Sequence, residues 1–127
     1  MEVLLDTGFI MHCMRKRIDF LDQLEEAGLK VQVPREVLQE LKDLKKEPYS
    51  SREDHAIINN ALEMLSRKRV KHTSIGQLRK DFWLLKKGAM GYYIATTNSL
   101  IKRRMPKTID ILESKGRVQA HVGENEA

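Results

Sequence analysis

Residues 1–10 read MEVLLDTGFI and join a short apolar run to an abrupt polar ending. Val3, Leu4 and Leu5 form the run, which has the length and composition of a buried strand at the centre of a parallel sheet. Asp6 follows directly, at the edge of the sheet where open α/β folds bind their ligands. Because Asp is also a good N-cap, Asp6 is predicted to start the next helix, to belong to a site, or to do both.

The rest of the chain alternates stretches of strand length with amphipathic stretches of helix length. The predicted strands are 29–33, 69–73, 91–96 and two weaker ones, 108–112 and 117–120. The predicted helices are 9–14, 18–27, one opening at Pro34, one starting with a capping box of Ser51 and Asp54, 77–87 and 99–104. This alternation predicts an α/β fold, a three-layer α/β/α sandwich around a mainly parallel five-stranded sheet. Residues 1–120 are expected to form one domain and 121–127 a polar C-terminal tail.

The composition predicts a soluble globular protein: 41% of the 127 residues are hydrophobic and 32% are charged. Cys13 is the single cysteine, which excludes an intramolecular disulfide and fits a reducing compartment. No apolar stretch approaches membrane-spanning length, and we expect neither a signal peptide nor a membrane partner. The expected location is the cytoplasm.

Basic residues are in excess and occur in short clusters. The formal net charge is +5 and the pI about 9.4, which favours a polyanionic partner such as nucleic acid. A single cluster is most often a solvated surface, but several in so short a chain indicate an extended basic surface. The residues assigned to RNA binding are Arg15, Lys16, Arg17, Lys102, Arg103 and Arg104.

Two acidic residues fall on comparable positions of two predicted helices. On a helical wheel, Glu40 borders the apolar stripe of the helix after Pro34, and Asp81 borders the stripe of Leu78, Phe82 and Leu85, with Lys80 opposite. Glu40 could instead be a border residue that pairs with a neighbouring lysine. If both converge on a strand-end acid, the cluster needs a cation, because like charges that close repel. Oxygen ligands select Mg²⁺ or Mn²⁺, ions that activate water and bind phosphate oxygens in phosphodiester cleavage.

Four segments in order, VLLDTGFI, VPREVLQEL, RKDFWLL and GYYIATTNSLIKRRM, give the chain a family resemblance. It resembles a PIN-domain ribonuclease, most of all the branch that processes small-subunit ribosomal RNA precursors. The resemblance implies a metal-dependent endoribonuclease that cleaves single-stranded or precursor RNA with Mg²⁺ or Mn²⁺, and it leaves a homodimer open. The implied catalytic residues are Asp6, Glu40, Asp81 and Asn98; the first three are the implied metal ligands, and Thr7 and Thr96 support them.

The sequence departs from this family pattern at two positions. Asn98 stands where the family has a fourth acid, so a carbonyl oxygen is available there but no negative charge. Gly8 stands where the branch has a polar residue. An alternative function is therefore a catalytically weakened or inactive RNA-binding or scaffold protein on the same fold.

Two further interpretations are open. LLDTG also resembles the active-site triplet of retroviral-type aspartic proteases, but those proteins are almost wholly β, and several later segments here are amphipathic helices. Trp83 is expected to pack against a neighbouring loop, with base stacking on the basic side of its helix as the alternative.

Overall fold

The structure is a computed structural model and describes residues 1–123. Its strands are β1 (Glu2–Leu5), β2 (Lys30–Pro34), β3 (Lys71–Thr73), β4 (Tyr93–Ala95), β5 (Lys107–Leu112) and β6 (Arg117–Val122). Its helices are α1 (Thr7–Arg15), α2 (Phe20–Glu26), α3 (Arg35–Leu44), α4 (Arg52–Arg67), α5 (Lys80–Ala89) and α6 (Ser99–Arg104). None of these helices has the length and apolar composition needed to span a membrane.

Strand β1 lies in the interior of a single sheet with the order β3-β2-β1-β4-β5-β6. Every pair is parallel except β5 and β6, which form an antiparallel hairpin. The predicted α/β fold with a mainly parallel sheet is confirmed, and the almost wholly β protease interpretation is wrong. The prediction is a sheet of five strands, whereas the sheet has six among the described residues, because both weak C-terminal strands join it.

The hairpin also shortens the predicted tail. Gly116 closes the turn between β5 and β6 with a φ of 60°, a left-handed conformation that glycine adopts without strain. Beyond this turn, His121 and Val122 pair with Thr108 and Lys107 of β5. These two residues therefore belong to the sheet and not to a tail, and 124–127 lie outside the described residues.

Alternate residues of the central strand point to two separate cores, which makes the fold a three-layer sandwich. Val3 and Leu5 are fully buried in a core with residues of α1 to α4, such as Phe9, Leu41 and Ile58. Leu4 is buried in a second core with residues of β4, α5 and α6. An apolar run without alternation is what a strand covered on both faces requires.

Helix α5 begins later, and presents a different face to the core, than the wheel predicted. The prediction placed the apolar stripe on Leu78, Phe82 and Leu85, but Leu78 precedes the helix, and both Leu78 and Phe82 are exposed. The buried positions are Trp83, Leu84 and Gly88. Trp83 packs into the second core, which confirms the prediction that it packs and excludes its use in base stacking.

Burial of Cys13 leads to a test of the packing of α1. The thiol is fully buried, and burial raises the pKa of Cys13 to about 12. Since the thiolate is the reactive form, the native protein should not react with a thiol reagent such as Ellman's reagent at about pH 8, whereas the unfolded chain should react fully. Rapid stoichiometric reaction before unfolding would contradict this packing.

Candidate functional site

Asp6 lies at the carboxyl end of β1 and is held by three groups. Its backbone N–H donates to the carbonyl of Ala95, 2.9 Å away, which continues the pairing of β1 with β4. Its Oδ1 accepts from the N–H of Thr7 at 2.8 Å, and its Oδ2 accepts from the hydroxyl of Thr96 at 2.9 Å. The predicted N-cap is therefore confirmed. With only 7% of its surface exposed, Asp6 is a buried carboxylate with a fixed orientation.

Glu40 reaches the same edge of the sheet from α3. The hydroxyl of Thr7 donates to Oε1 of Glu40, so this one residue contacts both acids, Asp6 through its N–H and Glu40 through its side chain. Helix α3 follows β2 directly, and β2 is the neighbour of β1, which brings Glu40 beside Asp6. Of the three acids that the sequence assigned to a metal site, the structure brings these two together.

The third charged group at this edge is Lys80, the first residue of α5. Its Nζ lies 2.8 Å from Oδ1 of Asp6, and 2.9 and 3.1 Å from Oε1 and Oε2 of Glu40. Burial opposes the charge of Lys80, but the hydrogen bonds to Asp6 and Glu40 outweigh burial, and the pKa of Lys80 is raised. The helical wheel assigned no role to Lys80. Positions 80, 84 and 87 are nevertheless four and three residues apart, a spacing that places Lys80 on the same side of the helix as Leu84.

Asp81 does not join the site. It is exposed, and it takes no part in the contacts that connect Asp6, Glu40 and Lys80. Within residues 1–123, no three His, Cys, Asp or Glu side chains lie close enough together to share a metal ion. The expected convergence of three carboxylates is therefore corrected to two carboxylates and one ammonium. The cause is the orientation of α5, which turns Lys80 inward.

The backbone of Asn98 is linked to Asp6 through a single hydroxyl group. Its backbone N–H donates to Oγ1 of Thr96 at 3.1 Å, and that hydroxyl in turn donates to Asp6. The side-chain oxygen of Asn98 caps α6, accepting from the N–H groups of Leu100 and Ile101 at 3.0 and 3.3 Å. The loop from β4 thus orients Asp6 through Thr96, which fits the supporting role assigned to this threonine.

The absence of a side chain at Gly8 has a steric explanation. A Cβ atom at position 8 would lie 2.4 Å from Oγ1 of Thr97. A side chain there would require the hydroxyl of Thr97 to rotate away. Thr97, in the loop after β4, therefore occupies the space that a polar side chain at position 8 would need.

Comparison with known proteins identifies the family. The model of the PIN domain family matches residues 3–115. The chain belongs to the PIN domain family. This confirms the family resemblance of the sequence and accounts for the order of its four segments.

A solved structure supports the same fold. The structure of the PIN domain endonuclease Utp24 superposes with a TM-score of 0.71 and 17% sequence identity, covering 95% of this chain and 91% of that chain. At this identity the similarity is one of fold. No curated protein sequence gives a significant match.

The basic residues assigned to RNA lie at the distal ends of two helices of this PIN domain. Arg15 is the last residue of α1, about 12 Å along the helix axis from its start beside Asp6, and residues 16 and 17 follow it. Residues 102–104 form the last turn of α6. Arg15 pairs with Asp54 at 3.3 Å and Lys102 with Asp110 at 2.8 Å, whereas the other four are exposed or partly so. Within residues 1–123, neither cluster forms an ion pair with Asp6 or Glu40, although Lys102 lines a surface pocket together with Thr96.

The edge of the sheet that carries Asp6 and Glu40, the acid edge, presents ligands that suit a hard cation. Asp6 and Glu40 present carboxylate oxygens, and Thr7 adds a hydroxyl, the ligand types that Mg²⁺ and Mn²⁺ take in proteins. The ammonium of Lys80 touches both carboxylates, which shows that this position attracts positive charge. The residues therefore fit a divalent ion, provided that Lys80 moves away.

Proposed function

We propose that this PIN domain is an endoribonuclease that cleaves single-stranded or precursor RNA at the carboxyl edge of its sheet. The observation that carries the proposal is the pair of Asp6 and Glu40, two acids from different elements that share the hydroxyl and N–H of Thr7. Membership of the PIN family and a fold like that of the endonuclease Utp24 support it. The net charge of +5 suits an RNA substrate.

A divalent ion, Mg²⁺ or Mn²⁺, would be held by Asp6 and Glu40. When bound it supplies the positive charge that activates water and stabilises the phosphate oxygens of the cleaved bond. The protein contributes orientation, because Thr7 and Thr96 fix the oxygens of Asp6 and Thr7 also fixes Glu40. Asp81 is left out of this proposal because it is exposed and takes no part in the ion pairs of Asp6 and Glu40.

The sequence resemblance to the branch that processes small-subunit ribosomal RNA precursors makes such a precursor the first substrate to test. The proposed location, the cytoplasm or, in a eukaryotic cell, the nucleolus, follows from the same resemblance. A homodimer remains a prediction that a sedimentation measurement would decide.

A second candidate is an RNA-binding PIN domain that does not cleave. Lys80 favours it, because its ammonium already neutralises part of the acid pair. Asn98 favours it as well, because its side chain adds no charge and caps α6. On this candidate the fold and the basic surface serve binding alone.

One experiment separates the two candidates. Pure protein is incubated with labelled single-stranded and hairpin RNA in Mn²⁺, Mg²⁺ or EDTA, and binding to the same RNAs is measured in EDTA by fluorescence anisotropy. The endoribonuclease proposal expects cleavage of the single-stranded RNA that needs the metal. Binding without cleavage under every metal condition would support the second candidate, and the absence of both would contradict each.

Phe82 gives a prediction about how RNA would contact the exposed side of α5. It lies in the first turn of α5, is 57% exposed, and carries the guanidinium of Arg79 at 5.4 Å from its ring centroid. An exposed ring beside positive charge is suited to stack on an RNA base, worth about 1–3 kcal/mol per base. Phe82→Ala should therefore weaken binding of single-stranded RNA by about fivefold or more. Tyr49→Ala, at an 81% exposed ring beyond the far end of α3, is the control. Equal losses in both variants would contradict a specific role for Phe82.

A further inference from the structure

We propose that Lys80 is a built-in cation of the acid site, one that occupies the position of a divalent ion and must leave before such an ion can bind. The inference rests on the proposed function for the identity of the competing ion. It assigns to Lys80 the role of a positioning residue, since its ammonium contacts both Asp6 and Glu40. The sequence patterns gave no such role to this lysine.

The ammonium of Lys80 lies among carboxylate oxygens of both acids. An ammonium group has three N–H donors, and Nζ of Lys80 lies within 3.1 Å of three oxygens, one of Asp6 and two of Glu40. The two acids come from β1 and α3, and the lysine comes from α5, so the ammonium connects three elements of the fold. A divalent ion would need oxygens of the same two carboxylates, and the two cations are therefore mutually exclusive.

The backbone around Lys80 is fixed by packing. Trp83 and Leu84, in the same turn of α5, are buried in the second core. The loop that leads to α5 is held by Glu36 of α3, which accepts from the N–H of Ile75 at 3.1 Å and from the hydroxyl of Ser74 at 3.4 Å. The side chain of Lys80 is 25% exposed, so it is directed into the site by the structure around it and is not a freely solvated surface lysine.

The charge balance explains what Lys80 does in the absence of metal. Asp6 and Glu40 carry two negative charges at one edge, and without a counter-ion they would repel each other. Lys80 neutralises one of these charges, so the fold does not require a metal to hold the two acids together. The same ion pairs oppose metal binding, because a divalent ion must break them first.

The first test changes the charge of Lys80. In Lys80→Gln, Mn²⁺ should bind about tenfold tighter than in the parent by calorimetry, because no ammonium competes for the carboxylates. Without metal the variant should melt at a lower temperature than the parent, and saturating Mn²⁺ should raise its melting temperature more. Lys86→Gln, the same charge change at an exposed position of α5, should behave like the parent. Equal Mn²⁺ affinity of Lys80→Gln and the parent, or no binding to Lys80→Gln, would overturn the inference.

The second test uses the unmodified protein, so it does not depend on the folding of a variant. Lysines are acetylated with acetic anhydride, with and without saturating Mn²⁺, and the extent at each lysine is read by mass spectrometry. Lys80 should react faster with Mn²⁺ than without it, whereas Lys86 should react equally in both. An equal or slower reaction of Lys80 with Mn²⁺ would overturn the inference.

The two proposals fail separately. A parent protein that never cleaves RNA would contradict the endoribonuclease proposal and leave the metal titration of Lys80→Gln as a valid test of Lys80. A parent that cleaves RNA while Lys80→Gln shows no gain in Mn²⁺ affinity would contradict only the role of Lys80.

Discussion

Asp6→Asn should abolish metal-dependent RNA cleavage and leave RNA binding unchanged. The substitution removes one of the two negative charges that would hold the metal, whereas binding depends on Lys and Arg residues elsewhere on the surface. A loss of about a hundredfold or more in single-turnover cleavage is expected, in line with the loss of one charged group at a preorganised site. The measurement is cleavage of one labelled RNA in Mn²⁺ together with anisotropy titrations in EDTA.

The structure also predicts a stability cost for Asp6→Asn. The carboxylate is buried and paired with Lys80, so its loss leaves the ammonium with Glu40 alone. Removing a partner of a buried pair costs up to a few kcal/mol, about 3 in strong cases. Asp43→Asn, an exposed acid of α3, is the matched control and should cleave and melt like the parent. Asp6→Asn protein that cuts as fast as the parent would exclude Asp6 from catalysis.

Asp81→Asn tests whether Asp81 belongs to the metal site, as the sequence predicts, or lies outside it, as the structure indicates. The sequence assigned Asp81 to the metal site, whereas the structure leaves it exposed and outside the contacts of Asp6 and Glu40. Cleavage and Mn²⁺ affinity of this variant, measured beside Asp6→Asn, decide between them. A loss as large as that of Asp6→Asn would restore the three-carboxylate site.

Asn98→Asp should raise both the metal affinity and any cleavage. The resemblance assigns a fourth acid to position 98, whose backbone N–H is linked to Asp6 through the hydroxyl of Thr96. Asp is as good an N-cap as Asn, so the cap of α6 should hold. Two effects oppose each other, because an added negative charge destabilises the metal-free site and strengthens binding of a divalent ion.

With saturating metal we expect the stronger binding of the divalent ion to outweigh the destabilisation caused by the added charge. Mn²⁺ affinity of Asn98→Asp should rise about tenfold, and the metal-free protein should melt at a lower temperature. Calorimetry, melting with and without metal, and single-turnover cleavage of one RNA measure the three quantities. Asn60→Asp, an exposed position of α4, controls for the added charge. Unchanged metal affinity and cleavage in Asn98→Asp would place residue 98 outside the site.

Much of the fold follows from local features of the sequence. The run Val3 to Leu5 is apolar at every position because β1 is covered on both faces, and this alone indicates a central strand. The capping box of Ser51 and Asp54 marks the start of α4 and is present in the structure. Such signals are predictable because they depend on neighbouring residues. The pairing of β1 with β4 places Asp6 and Asn98 after adjacent strands.

The sequence by itself thus determined the layers of the fold, the central strand and the presence of Asp6 and Glu40 at one edge. Only the tertiary structure decided which charge of α5 meets them. Apolar residues occur on both sides of this helix, Phe82 on the exposed side and Leu84 on the buried side, so the pattern could not fix its rotation. Neighbouring positions differ by about 100° around a helix, and a rotation of one residue exchanges Asp81 for Lys80. That choice depends on packing against elements far away in the chain, and it replaces a third negative charge by a positive one.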